Sequence, residues 1–275
     1  DHLSYYFYFL LSERGEIAGL EDAFLTYNDL FGSGINISVG QFSVSDPLFK
    51  SELRLTLEPY MIYGVAPGTS CTNLKYDRGV IFDKGFSTGT TIVGEIITGN
   101  GIVEGEEGFM FDKDKYKNIM LRLSQDIGDK LTIGLFGYSG KEMIYDWTDD
   151  FTNNIKAYGA DFSLDLGEKF IVNAQYLIRS DSEVYLEDLG TVEDDIFTRG
   201  GFVEIIVAPK GDMSKWYFAG LVNLVDSDID EIDYTSATMH AGYLLRRNVR
   251  LATEYTHYFT GEKHGKLSLG FVSAF

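Results

Sequence analysis

The sequence predicts an all-β protein, a transmembrane antiparallel β-barrel, on three observations. Apolar and polar residues alternate with period two over long segments. Charged residues recur on one face of strand after strand, which suits a water-filled lumen better than a dry core. The connections alternate between short turns and long loops, as in barrels that cross an outer membrane. A soluble β-sandwich is the competing reading, and it gives no reason for loops to sort by length.

Fourteen strands are expected, at 3–12, 20–28, 34–42, 74–84, 88–99, 116–126, 130–141, 154–166, 168–179, 199–208, 214–225, 235–246, 248–258 and 265–275. Each is bounded by Gly, Asp, Asn or Ser punctuation. Most are longer than ordinary soluble strands and match a tilted membrane crossing. In the eighth, Tyr158, Ala160, Phe162, Leu164 and Leu166 alternate with Gly159, Asp161, Ser163 and Asp165. In the ninth, Phe170, Val172, Ala174, Tyr176 and Ile178 oppose Asn173, Gln175 and Arg179, and in the thirteenth Val249, Leu251 and Tyr255 oppose Arg250, Glu254 and Thr256. The last strand puts Leu267, Leu269, Phe271 and Phe275 on one face. It resembles the C-terminal strand of bacterial outer-membrane barrels, with Ser273 as a departure.

Composition narrows the function classes. The chain of 275 residues holds 4 Pro, 30 Gly and one Cys. Cys71 alone excludes an internal disulfide, and without a CxxCH the chain attaches no c-type haem. No run of about 18 apolar residues is present, so no transmembrane helix is expected. A mean hydropathy of −0.07 is what a barrel with a wet interior gives. The formal charge of −19 argues against nucleic-acid binding, which needs a basic footprint. The start at Asp1, without Met or signal peptide, reads as a mature product or a fragment.

With the C-terminus at the periplasm, the short turns near 29–33, 85–87, 127–129, 167, 209–213 and 247 lie on that side. The longer connections, 13–19, 43–73, 100–115, 142–152, 180–196, 226–234 and 259–264, lie outside. Four of these, 100–115, 142–152, 180–196 and 226–234, hold 21 acidic residues against Lys113 and Lys115. Such a rim repels anions, gathers cations and holds Ca²⁺ or Mg²⁺ loosely, within a screening length of about 8 Å. The alternating acids of DSDIDEID (226–233) lack an EF-hand's Gly and terminal Glu, since Glu231 and Ala237 stand there, so a solvated acidic loop is expected. No cofactor is expected. Trp147, Trp216 and the strand-end Tyr residues fit interfacial girdles or ordinary strand packing equally.

The segment 43–73 is long and not simply polar: Leu48, Phe49, Leu53, Leu55, Leu57, Tyr60, Met61 and Ile62 all need burial. A short helix over 47–56 is expected within it. Such a loop either caps the barrel or folds inward and narrows it.

The succession LEDAFLTYNDLFGSGINISVGQFSVSDPLFKSELRLTLEPYMIYGV resembles the phosphate-selective porin O/P family and related porin-like outer-membrane β-barrels. Asp22-Ala23-Phe24 and Val39-Gly40-Gln41-Phe42 carry the likeness, and Arg78-Gly79-Val80 is compatible with it. The resemblance implies a bacterial outer-membrane homotrimer of sixteen-stranded barrels with that loop in the channel. Fourteen strands are visible, so residues 1–275 read as one barrel domain with an N-terminal hairpin missing, although fourteen is also an even number able to close. Phosphate selectivity is not implied, because 23 basic residues and an acidic rim do not make a cationic lining.

The function expected is a passive porin or channel for small hydrophilic solutes and ions, in contact with outer-membrane lipid and lipopolysaccharide. Expected constriction residues are Lys50, Arg54 and Glu58 on the loop, with Arg78, Glu95, Arg122, Asp161, Arg179, Glu204, Arg250 and Glu254 on the wall. Opposed charges there set a transverse field, and rings of one sign set ion preference. For each, the bland alternative is a lumen salt bridge that stiffens the barrel. Two other classes stay open. One is a scaffold or sheath around an exported redox partner such as a multihaem cytochrome, or around a lipoprotein. The other is a barrel hydrolase built on inward-facing His240, for which no Ser/His/Asp spacing is evident.

Overall fold

The computed structural model describes residues 2–11, 17–102, 114–144, 151–167, 169–187, 189–246 and 249–273. All fourteen expected strands are present: β1 (Leu3–Leu11), β2 (Ile17–Tyr27), β3 (Asn36–Ser43), β4 (Tyr76–Gly85), β5 (Thr90–Ile97), β6 (Asn118–Ile127) and β7 (Leu131–Ile144). They continue through β8 (Phe151–Asp165), β9 (Phe170–Leu186), β10 (Thr191–Val207), β11 (Trp216–Ser227), β12 (Tyr234–Arg246), β13 (Val249–Tyr258) and β14 (Gly265–Ser273). Each pairs antiparallel with its sequence neighbour, in one sheet ordered β1 to β14. Among the described residues no ladder joins β14 to β1.

The sheet is a transmembrane barrel wall, inverted relative to a soluble core. Leu121, Leu135, Tyr176, Val222 and Leu251 point outward and are exposed, while Asn118, Gln175, Glu204, Asn223 and Glu254 are buried on the inner face. Hydrocarbon outside offers the backbone no hydrogen-bonding partner, so every spanning segment must pair its amides within the sheet. Curvature follows from the segment after β3. Its residues reach Tyr6 on β1, Gln175 on β9, Glu204 on β10, Asn223 on β11 and Glu254 on β13, which one segment reaches only if the sheet wraps around it.

Two expected loops are shorter than the sequence suggested. Residues 180–196 extend β9 to Leu186 and begin β10 at Thr191, leaving a tight turn between them. Here Asp181 is buried and Val184 and Ile196 form a small apolar cluster with Ile229. In 226–234 the carboxylates serve the backbone: Asp228 accepts from the Phe197 amide at 2.8 Å and Asp233 from the Ser227 amide at 2.8 Å. The expected acidic residues of 103–113 and 145–150, together with Trp147, Asp188, the turn at 247 and Phe275, lie outside the described residues. Trp216 packs on Tyr243 with ring centroids 4.4 Å apart, at the short-turn end.

Gly40 adopts φ 147°, and a Cβ there would lie 2.1 Å from the Ala23 carbonyl oxygen. Replacing it with Ala is expected to cost about 1–3 kcal/mol, read as a lower urea midpoint for loss of the folded band on an unheated gel.

Candidate functional site

The segment between β3 and β4 turns inward at the neck, where the Val44 amide donates to the Lys75 carbonyl at 2.7 Å. Its apolar residues form the molecule's main core. Val44, Leu48, Tyr60, Ile62, Tyr63 and Leu74 pack against wall residues including Phe42 at the end of β3, Ile97, Met120, Phe136, Leu177, Phe202 and Leu221. The Tyr60 ring stacks on Phe202 at 4.0 Å and 12°, and Tyr63 meets the same ring edge-on at 5.9 Å. Burying several aromatic and aliphatic side chains at about 1.5–3 kcal/mol each holds the loop on the inner wall from β5 to β11.

Polar groups then set its path. Glu254 on β13 accepts the Leu57 amide at 2.6 Å and the Glu58 amide at 2.9 Å. His240 lies behind it, its Nδ1 2.9 Å from Glu254 Oε2 and its Nε2 3.1 Å from the Tyr217 hydroxyl. A carboxylate only accepts, so Nδ1–H donates to Glu254, and Nε2 shares its hydrogen bond with the Tyr217 hydroxyl. Both ring nitrogens are thereby engaged. On β10, Glu204 accepts from the Tyr60 hydroxyl and the Asn173 amide, each at 2.9 Å. Burial, with Glu204 beside it, pushes the Tyr60 phenol well above its ordinary range, so it stays a donor. Tyr63 donates to Gln175 at 2.6 Å. Arg179 on β9 pairs both carboxylate oxygens of Asp181 at 2.7 and 2.8 Å and donates to the carbonyls of Val65 and Thr72 at 2.8 and 2.7 Å. Glu142 on β7 accepts from the Ser70 hydroxyl and the Cys71 amide, each at 2.7 Å.

The expected constriction residues thus divide by position. Arg179, Glu204 and Glu254 face inward and hold the loop. Arg122 also faces inward, paired to Asp161 through two bonds of 2.6 and 3.2 Å. Glu95 is buried on the inner wall of β5, and among the described residues neither of its carboxylate oxygens finds a hydrogen-bond donor. Arg250 sits over the Tyr217 ring at 5.4 Å. On the loop, Lys50 pairs with Asp46 at 2.9 Å and lies 4.9 Å over the Tyr6 ring. Arg54 folds onto its own backbone, donating to Ser51 and Thr56 carbonyls at 3.3 and 2.9 Å. Glu58 is buried and accepts from Tyr234 and Ser236 on β12.

Two expectations are corrected. Arg78 does not face the lumen: Phe42 pairs with Asp77 on the inner side, so Arg78, in register with Gln41, shares the outer face with Val80 and exposed Phe82. The helix expected over 47–56 is a single 3-10 turn at Ser51–Leu53. The next amides, of Leu57 and Glu58, bond to the wall at Glu254 instead of continuing a helix. Of the anchors, Tyr60 was expected only to be buried and Gln175 only to lie on the polar face of its strand; Glu142, Tyr63 and Asn223 were not singled out from sequence, and inward placement by alternation was the only signal Glu142 and Asn223 carried. Among the described residues no group of three or more His, Cys, Asp or Glu is placed to hold a metal ion.

Comparison with known proteins places the fold. No family model matches the chain, and no curated protein matches its sequence. Solved structures do match in shape. An anion-selective porin from Comamonas acidovorans aligns with TM-score 0.64 and 13% identity over 100% of this chain and 85% of that one. A loop L8 deletion mutant of OmpT, an outer-membrane protein of Vibrio cholerae, aligns with TM-score 0.63 and 12% identity over 98% and 84%. OmpF of Salmonella typhi, solved with daunomycin, aligns with TM-score 0.60 and 12% identity over 95% and 81%. The fold is that of an outer-membrane porin barrel.

Hydrogen bonds to a charged group contribute about 1.5–3 kcal/mol. Glu254→Ala is therefore expected to speed amide exchange at Leu57 and Glu58 by about ten- to a hundredfold, with exchange in β6 and β7 unchanged as the internal control.

Proposed function

We propose that the chain is a passive outer-membrane channel for small hydrophilic solutes and ions, narrowed by its own inward loop. The observation that carries this reading is the loop's attachment across the inner wall, from Glu142 on β7 to Glu254 on β13, inside a barrel with an apolar exterior. A pinned loop sets a fixed cross-section, which a channel needs and a collapsing plug does not.

The solute path runs on the side of the loop that carries Lys50 and Arg54, past Tyr6 on β1. Lys50 and Arg54 belong to the constriction in this reading, while Arg179, Glu204 and Glu254 position it. Arg250 and Glu95 contribute to the field across the lumen. The acidic long-loop rim forms an outer vestibule that concentrates cations and holds Ca²⁺ or Mg²⁺ loosely. Assembly as a homotrimer is part of the proposal and is supported by the fold shared with porins; the OmpT of Vibrio cholerae is described in a trimer form. The lumen holds this chain's own loop where a sheath would hold its guest, which favours the channel over a scaffold for a redox partner.

The test is a planar-bilayer recording of the full-length protein under a KCl gradient. A stable conductance with a cation-favouring reversal potential is expected, and no conductance would overturn the reading. Replacing Lys50 and Arg54 together with Gln should shift the reversal potential further toward cations; an unchanged potential would remove both from the constriction.

A further inference from the structure

One demand of the inward loop is left unmet by its packing. Its apolar residues are expected to be buried, and Leu48, Tyr60, Ile62 and Tyr63 are, but Leu53 stays 75% exposed and Leu57 53% exposed. Neither faces lipid, because the segment lies inside the barrel, tied by the Leu57 amide to Glu254 on β13. Two leucines held open to a water-filled lumen offer an apolar surface to whatever passes.

Between them stands a fixed cation. Arg54 donates from Nε to the Thr56 carbonyl at 2.9 Å, from Nη1 to the Ser51 carbonyl at 3.3 Å and from Nη2 to the Leu57 carbonyl at 3.4 Å. Its guanidinium also lies 5.7 Å from the centre of the Tyr60 ring, which is itself stacked on Phe202. These contacts close residues 51–57 into an arc around the guanidinium and remove the freedom of a long side chain. All of them are with neutral groups, and among the described residues no carboxylate pairs with Arg54. A guanidinium has five N–H groups, so two remain to donate, with the positive charge uncompensated. The neighbouring charges are engaged elsewhere. Lys50 pairs with Asp46, Glu58 accepts from Tyr234 and Ser236, and Glu254 is taken up by two loop amides and His240.

We propose that this arc is a subsite for small amphiphilic monocarboxylates, which place the carboxylate on Arg54 and an apolar body across Leu53 and Leu57. The proposal rests on the channel reading, in which Arg54 belongs to the constriction, and adds the solute class. Charge-assisted hydrogen bonds from a pre-organised guanidinium select a carboxylate over a neutral solute. The leucines select a solute with an apolar body over acetate or chloride. An apolar cation gains the leucine contact but meets Arg54 as a like charge. The acidic long loops act on small ions through a screened field, whereas this subsite acts by contact.

The experiment uses the full-length protein with benzoate as the probe and acetate, benzyl alcohol and benzylammonium as controls. Two variants are compared with wild type: Arg54→Gln, which removes the charge, and Leu53→Ser/Leu57→Ser, which removes the apolar surface. In planar bilayers at about 1 M KCl, where screening confines the field of the rim to about 3 Å, benzoate should reduce wild-type conductance. Its half-blocking concentration should lie about tenfold below that of each control and about tenfold below its value in either variant. Saturation-transfer NMR of benzoate on protein that shows the folded band, with empty micelles as the blank, reads the same ranking without requiring conduction. No benzoate binding by NMR, equal binding in wild type and both variants, or benzyl alcohol or benzylammonium binding as well as benzoate would overturn the subsite. So would benzoate binding that leaves the conductance of a conducting wild type unchanged. Benzoate binding with the expected ranking in a protein that does not conduct would count against the channel reading alone.

Discussion

The structure depends on one constraint: hydrocarbon outside the wall accepts no hydrogen bonds, so each strand must pair its backbone groups with its neighbours in the sheet. That forces long, regular, antiparallel ladders, and a regular ladder sends alternate side chains to opposite faces. Lipid selects the outer set, Leu121, Leu135, Val222 and Leu251 among them. The inner set is then released from being apolar. Asp161, Gln175, Glu204 and Glu254 follow from that freedom, and a barrel without them would have nothing with which to orient a loop.

The loop reverses the logic once more. Within a polar lumen it brings its own hydrophobic cluster, Val44, Tyr60, Ile62 and Tyr63, and finds a matching apolar strip at Phe42, Met120, Phe136, Leu177 and Phe202. Apolar burial supplies the attraction but no direction. Direction comes from Glu142, Arg179, Glu204 and Glu254, which accept from or donate to loop backbone and tyrosine groups. Removing one such partner leaves a buried charge or amide unmatched, and that cost exceeds the net worth of the bond itself. The loop therefore has one well-defined seat.

What was legible in the sequence follows from the same physics. All fourteen strands could be read because the alternation that lipid imposes is long, as in Tyr158 to Leu166. The ends of β9 and β10 were missed because Glu183, Asp194 and Asp195 read as an acidic loop, while the burial of Val184 and Ile196 comes from packing on Ile229, a contact that local alternation does not show. Arg78 was placed on the wrong face because Val80, Ile81 and Phe82 are all apolar, so the short strand carries no internal phase. The loop's inward course was legible from its unburied apolar residues. Its anchors were not: the bond between the Leu57 amide and Glu254 joins positions 197 residues apart, and backbone amides leave no mark in a sequence. The expected helix failed for the same reason, since propensity is a weak prior against tertiary partners.

This division of labour bears on how charge acts along the conduction path of the proposed channel. A lumen charge engaged in a close pair, such as Arg122 with Asp161 or Arg179 with Asp181, presents mainly a dipole to a passing ion, and a dipole's field falls off faster than a charge's. Counting such residues as an anion trap would overstate their reach. In the proposed channel the long-loop segments hold an excess of acidic residues in sequence, although Asp226 is paired with Arg199 and Asp228 and Asp233 accept from backbone amides; the field of that excess is limited by screening to about 8 Å. In that proposal an ion meets the acidic end first and the paired interior second, so that sign governs entry and size and orientation govern the narrow section, and this ordering rather than the total charge is what leads the proposal to a cation-favouring channel.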